Sequence, residues 1–122
     1  MDHDLSEVEL AHAWISEISV DDGILDPERE FKYAFLLDDY IDHDPDFAWS
    51  VIKIISESDM SEWAESNFSA GPLTSFVDKY ANRYFDDIKY LVQARAKFKD
   101  QMLGVVFLDK VKKIFGESIF DD

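Results

Sequence analysis

In the stretch DHDPD, residues 42–46, Asp42, Asp44 and Asp46 alternate around His43 and Pro45. Carboxylate oxygens and an imidazole nitrogen are donors that hold divalent cations, and the alternating aspartates reproduce the opening of a calcium loop. The likeness stops there. Phe47 stands where the loop needs its turn glycine, and Lys53 where it needs the closing bidentate glutamate. We read no metal site and no cofactor from this motif; Asp44, immediately before Pro45, is better used as a helix cap.

Three histidines, His3, His12 and His43, are the side chains whose unperturbed pKa lies near neutrality. His3 falls at the N-terminal end and His12 at the edge of an apolar helical face, so neither is placed as a general base. Nucleophile elbows, phosphate-cradling glycine loops and the zinc-protease helix motif are missing, and the chain holds 4 glycines in all. With 27 acidic side chains, any two could be nominated as a hydrolytic pair, which distinguishes none of them. The reading is a protein without catalytic residues.

The acids instead point to recognition. Asp38, Asp39, Asp42, Asp44 and Asp46 crowd into residues 38–46 with no Lys or Arg among them. Residues 1–78 carry 3 basic and 20 acidic side chains, whereas residues 79–122 carry 9 and 7. A net charge of −15 on 122 residues disfavours nucleic acid and anionic membrane as partners and favours a basic protein surface. Hydrophobic residues make up 47% and aromatics 15%, too many for a disordered acidic tail, so the charge coats a folded body. Trp14, Trp49 and Trp63 are read as core, since base stacking needs a positive groove that the acidic half lacks.

The chain is long enough for one domain, residues 1–122, with a real core. It has no cysteine, so stability comes from packing rather than disulfides. The N-terminal MDHDLSEVEL lacks the basic start and apolar run of a signal peptide, and no apolar run reaches the length of a membrane span; a cytoplasmic location is expected.

Helical spacing recurs along the chain. Ser6 and Glu9 have capping-box spacing and open a first helix to about Ser19, with Val8, Ala11, Ile15 and Ile18 as its apolar face. Asp26-Pro27 opens a second helix whose core face is Phe31, Ala34, Phe35, Leu37 and Ile41, and Asp44-Pro45 opens a third, apolar enough to be central. A fourth spans Ser61 to Phe68, and Gly71-Pro72 is expected to end one helix and begin another. A long pattern from Leu73 through Leu91, with a break near Asn82, is followed by Phe98, Met102 and Leu103, then by a last helix ended by Gly116. The expectation is an all-α fold of six to eight helices in a compact orthogonal or solenoid-like bundle with no substantial sheet, Val105 to Leu108 being the one candidate extended piece.

The segments DPDFAWSVI, residues 44–52, and AGPL, residues 70–73, followed by a long helix and the Phe98 to Val106 stretch, resemble a family of small, uncharacterised bacterial all-helical proteins. That family has a DP..AW..I helix and an AGPLE-type helix start. Its acid after AGPL is here Thr74, so no carboxylate role carries over; the resemblance implies an all-helical fold and transfers no activity or site. In physical character the chain is also similar to immunity proteins, which are small, acidic, cysteine-free and cytoplasmic and neutralise basic nuclease toxins.

On that reading Asp38, Asp39, Asp42, Asp44 and Asp46 meet a basic toxin, Asp21, Asp22, Glu28 and Glu30 form a second patch, and an exposed Tyr40 or Phe47 anchors the contact. Two other readings remain open. A DNA-mimic inhibitor would set its carboxylates in regular rows on an elongated body. A helical adaptor would use the more neutral C-terminal half, with Ile119-Phe120 exposed. Like charges at Asp38/Asp42 and Asp39/Asp42 are adverse to a helix, so the ridge is not expected to stabilise the fold.

Overall fold

A computed structural model describes residues 5–21 and 31–120, with the side chains of Val20 and Asp21 left aside. The chain is all-α: α1 Glu7–Asp21, α2 Lys32–His43, α3 Pro45–Glu57, α4 Glu62–Phe68, α5 Thr74–Tyr80, α6 Phe85–Ala94, α7 Ala96–Leu103 and α8 Leu108–Phe115. A π turn, Ser69–Leu73, joins α4 to α5, and a 3₁₀ turn, Glu117–Phe120, follows α8. No strand occurs among the described residues; Val105 to Phe107 form a turn and Leu108 opens α8. Nor, among those residues, is any helix long and apolar enough to cross a membrane.

Local sequence sets several boundaries. At α1 the Ser6 N–H donates to Glu9 Oε1 at 3.0 Å and the Glu9 N–H to Ser6 Oγ at 3.2 Å, the reciprocal capping box. Asp44 Oδ1 accepts from the Phe47 N–H at 3.3 Å and Pro45 fills the first helical position, so α3 starts where expected. Ser61 caps α4 in the same way, its Oγ accepting from the Ala64 N–H at 3.2 Å. Gly116, at φ 92°, ends α8 in the left-handed region that glycine enters without strain.

The Asp26-Pro27 start lies outside the described residues, and the first turn of α2 is satisfied from elsewhere. Glu17 of α1 accepts from the Tyr33 N–H at 2.9 Å and the Ala34 N–H at 3.0 Å, one carboxylate oxygen for each. A carboxylate there meets two orphan donors and the positive end of the helix dipole together.

The buried apolar side chains form one cluster, with α3 inside it. Trp49 stacks on Phe76 with centroids 5.0 Å apart, meets Phe98 edge-on at 6.2 Å, and donates its indole N–H to Asp87 at 3.0 Å. Helix α3 packs on α1, α2 and α7, and α1 also touches α4. These contacts between elements distant in sequence describe a bundle wrapped on α3; a solenoid stacks nearest neighbours only.

Three expectations are corrected. The α1 face is turned toward Leu10, Ala11, Trp14 and Ile18, leaving Val8 half exposed, because α1 lies against both α3 and α4. In α2 the buried residues are Leu36, Leu37, Tyr40 and Ile41, while Phe35 is 68% exposed. Gly71-Pro72 does not divide two helices. The chain runs from α4 to α5 through the wider π turn, whose register accommodates the missing Pro72 N–H. Thr74 completes it: its hydroxyl donates to the Ser69 carbonyl at 2.6 Å and accepts from the Val106 N–H at 3.2 Å. Thr74 is thus a buried tie between the π turn and the connection to α8.

Candidate protein-interaction site

The aspartate run straddles the α2–α3 corner, and its members meet different neighbours. Asp44 is spent as the α3 cap. Asp46 accepts the Tyr84 hydroxyl and lies 3.7 Å from the Arg83 guanidinium. Asp42 is paired with Lys79 of α5. Asp39 faces His43, whose Nδ1 is 3.3 Å from the carboxylate and 3.0 Å from the Asp39 carbonyl oxygen. Asp38 makes no ion pair among the described residues.

These contacts add partners from elsewhere in the chain to a ridge whose like-charge spacing is by itself adverse to α2. Lys79, Arg83 and Tyr84 come from around the α5–α6 break and meet acids about 40 residues earlier in sequence, tying the α2–α3 corner to the second half of the chain. Tyr84 is altered in turn. Desolvation, then the hydrogen bond to Asp46 and its negative charge, push the phenol up to about 12, so it stays a donor.

Asp38 occupies a junction. On one side is a cleft of about 280 Å³ lined by Asp38, Ile41, Asp42, Ser75, Asp78 and Lys79. Asp78 is paired with Lys110 at 2.6 Å, so Asp38 is the cleft's carboxylate without a direct counter-ion. On the other side is a largely apolar groove of about 240 Å³, in which Trp14, Ile18, Phe31, Ala34, Phe35 and Pro72 take part. The surrounding protein desolvates the Asp38 carboxyl and raises its pKa above the ordinary 3.8, an effect that Lys79 opposes.

Phe35, Asp38 and Asp42 fall at i, i+3 and i+7, one stripe along α2. An exposed ring and an unneutralised carboxylate therefore sit one turn apart. Of the two rings expected as anchor, Tyr40 is 8% exposed and packed on Phe47 with centroids 4.3 Å apart, and Phe47 is partly buried against the core cluster. The available ring on α2 is Phe35. Sequence reasoning placed Phe35 in the core because its spacing from Phe31 and Ala34 suits an apolar face; it missed Asp78 because α5 carries no acidic run.

Of the second patch, Asp22, Glu28 and Glu30 lie outside the described residues, and Asp21 is described only as the last residue of α1. Among the described residues no three His, Asp or Glu side chains converge as a metal-ligand set. Comparison with protein families, with curated proteins and with solved structures finds no match to this chain.

Proposed function

We propose that this protein is an acidic protein-binding module and that it acts as an immunity protein, neutralising a basic bacterial toxin of the nuclease class by direct binding in the cytoplasm. The observation that carries the reading is the Asp38 junction. An unpaired carboxylate, an exposed aromatic ring and an apolar groove adjoin on one face of α2. A partner with a Lys or Arg beside an apolar side chain satisfies both sides of that junction at once. Interfaces of this kind draw affinity from a buried aromatic anchor and take encounter rate and register from charge.

The overall charge of −15 adds a long-range field of the sign that attracts a phosphate-binding, and therefore basic, surface. The two other readings lose support. A DNA mimic needs a row of free carboxylates, whereas Asp42, Asp44 and Asp46 are engaged within the chain. An adaptor using Ile119-Phe120 needs them exposed, but Ile119 is 3% exposed and Phe120 is half-buried on the cluster.

The test is co-purification with the product of the adjacent gene, then association kinetics at low and high salt. Asp38→Lys is expected to slow association by about tenfold at low salt, within the range of electrostatic steering. Phe35→Ala is expected to leave the on-rate nearly unchanged and speed dissociation by about tenfold, the behaviour of an anchor. A complex that forms and dissociates identically with both variants sinks the assignment.

A further inference from the structure

A third cleft, of about 410 Å³, lies where the α4–α5 helical stretch meets α7 and is lined by Glu65, Ser66, Ser69, Ala70, Asp100, Gln101 and Gly104. It shares no lining residue with the two clefts at Asp38. Its base is built. Gln101 is buried and clamped: Oε1 accepts the Ser56 hydroxyl at 2.5 Å, and Nε2 donates to the Ser56 carbonyl and to Glu65 Oε2, both at 3.2 Å. Both amide hydrogens are thereby used within the protein.

Ser69 is different. It is the first residue of the π turn and 6% exposed, its carbonyl is taken by Thr74, and its hydroxyl has no partner among the described residues. A buried hydroxyl left unpaired is costly, so an open cleft at that group is a place where something else supplies the partner. Gly104 keeps it accessible: a Cβ there would lie 3.0 Å from the Ser69 Cβ and 3.2 Å from its Oγ.

The remaining groups define what fits. Glu65 and Asp100 present carboxylates, which only accept; Lys97 approaches Glu65 at 3.8 Å, and Asp100 has no partner among the described residues. A hydroxyl free to accept, flanked by two carboxylates, calls for a positively charged donor with several N–H bonds. A metal ion is less well served, because no third acidic or imidazole ligand converges here. We propose that this cleft binds a primary amine as its ammonium ion, the three N–H bonds going to Ser69 Oγ, Asp100 and Glu65. The ammonium belongs either to a free alkylamine or to a lysine side chain of another protein.

The test is a titration of the isolated protein, followed through its backbone amide resonances, with putrescine, with Nα-acetyl-lysine methylamide and with 1-butanol. Either amine is expected to move the Ser69, Gln101 and Gly104 amides, and the neutral alcohol is not. Asp100→Asn is expected to weaken amine binding about tenfold and Ser69→Ala about threefold, with unchanged melting of the exposed Asp100→Asn variant excluding loss of fold. Tighter binding of putrescine supports the site and assigns it to a free amine; tighter binding of the blocked lysine supports it and assigns it to a side chain. Amides that do not respond to either amine, or equal affinity in the parent and both variants, overturn the proposal. Because no partner protein is involved, failure here is separate from failure of the immunity reading.

Discussion

The two ends of the aspartate run, nine positions in one acidic stretch, have opposite uses. At the Asp44–Asp46 end the carboxylates are drawn into the fold, one as the α3 cap and the other against Tyr84 and Arg83. At the Asp38 end the carboxylate is left without a counter-ion between a polar cleft and an apolar groove. The same residue type thus serves structure on one side of the corner and, under the proposed function, recognition on the other. What separates them is which donors lie within reach, the Phe47 N–H of α3 for Asp44 and the Arg83 and Tyr84 side chains of the α5–α6 turn for Asp46, so charge density in a sequence does not by itself mark an interface.

The comparison can be broken at the element that carries the structural end. Trp49→Ala removes the stacked centre of α3 and leaves Asp87 without the indole donor. A loss of about 3–5 kcal/mol is expected in chemical denaturation, as for other buried aromatic truncations. A variant as stable as the parent would show that α3 is not the central helix and would remove the anchor from the Asp44–Asp46 end.

Next in size is the cap. Asp44→Ala is expected to cost about 1 kcal/mol by the same measurement, because it strands an N–H of the first turn of α3. Asp42→Asn, which weakens a half-exposed pair with Lys79, should cost less than about 1 kcal/mol. The contrasting variant is Asp38→Asn. Its raised pKa means that the folded state holds the proton more tightly than the unfolded one. Its contribution to stability is present below 3.8 and lost as pH rises through the raised value. At neutral pH Asp38→Asn should therefore be neutral or slightly stabilising. A loss as large as that of Asp44→Ala would erase the distinction between the two ends.

The smallest effect is read at high pH. The Tyr84 phenol is raised from 10.0 to about 12, so its contribution is complete below 10 and fades as pH climbs through the folded value. Titration of tyrosinate absorbance should show a late-ionising phenol that is lost in Tyr84→Phe and shifted back toward 10 in Asp46→Asn. An unshifted late phenol in Asp46→Asn would mean that burial alone holds Tyr84, and the structural role of Asp46 would shrink to its contact with Arg83.

Much of the helix list was legible because its signals are local. Ser6 with Glu9, Asp44 with Pro45, and Ser61 each act within one turn, and the break near Asn82 falls in the turn between α5 and α6. Helix faces were less legible. Phe35 and Tyr40 exchanged their expected places, since periodicity gives an apolar stripe but the neighbours decide which side of it is covered. Gly71-Pro72 misled for a related reason: the pair usually ends a helix, but here the π turn is supported from outside by Thr74, which also holds the Val106 N–H.

The sequence by itself therefore determined the class of structure and the sign of the field: an all-α chain with an acidic N-terminal two-thirds and no cysteine. Tertiary structure decided which acids are spent. Glu17 closes the start of α2 from a neighbouring helix, Lys79 and Arg83 take up Asp42 and Asp46, and Asp38 and Ser69 are left over at the clefts. The physical reason is range. Caps and periodicity act within a few residues of one chain segment, whereas neutralisation and burial depend on groups that only packing brings to within a few ångströms.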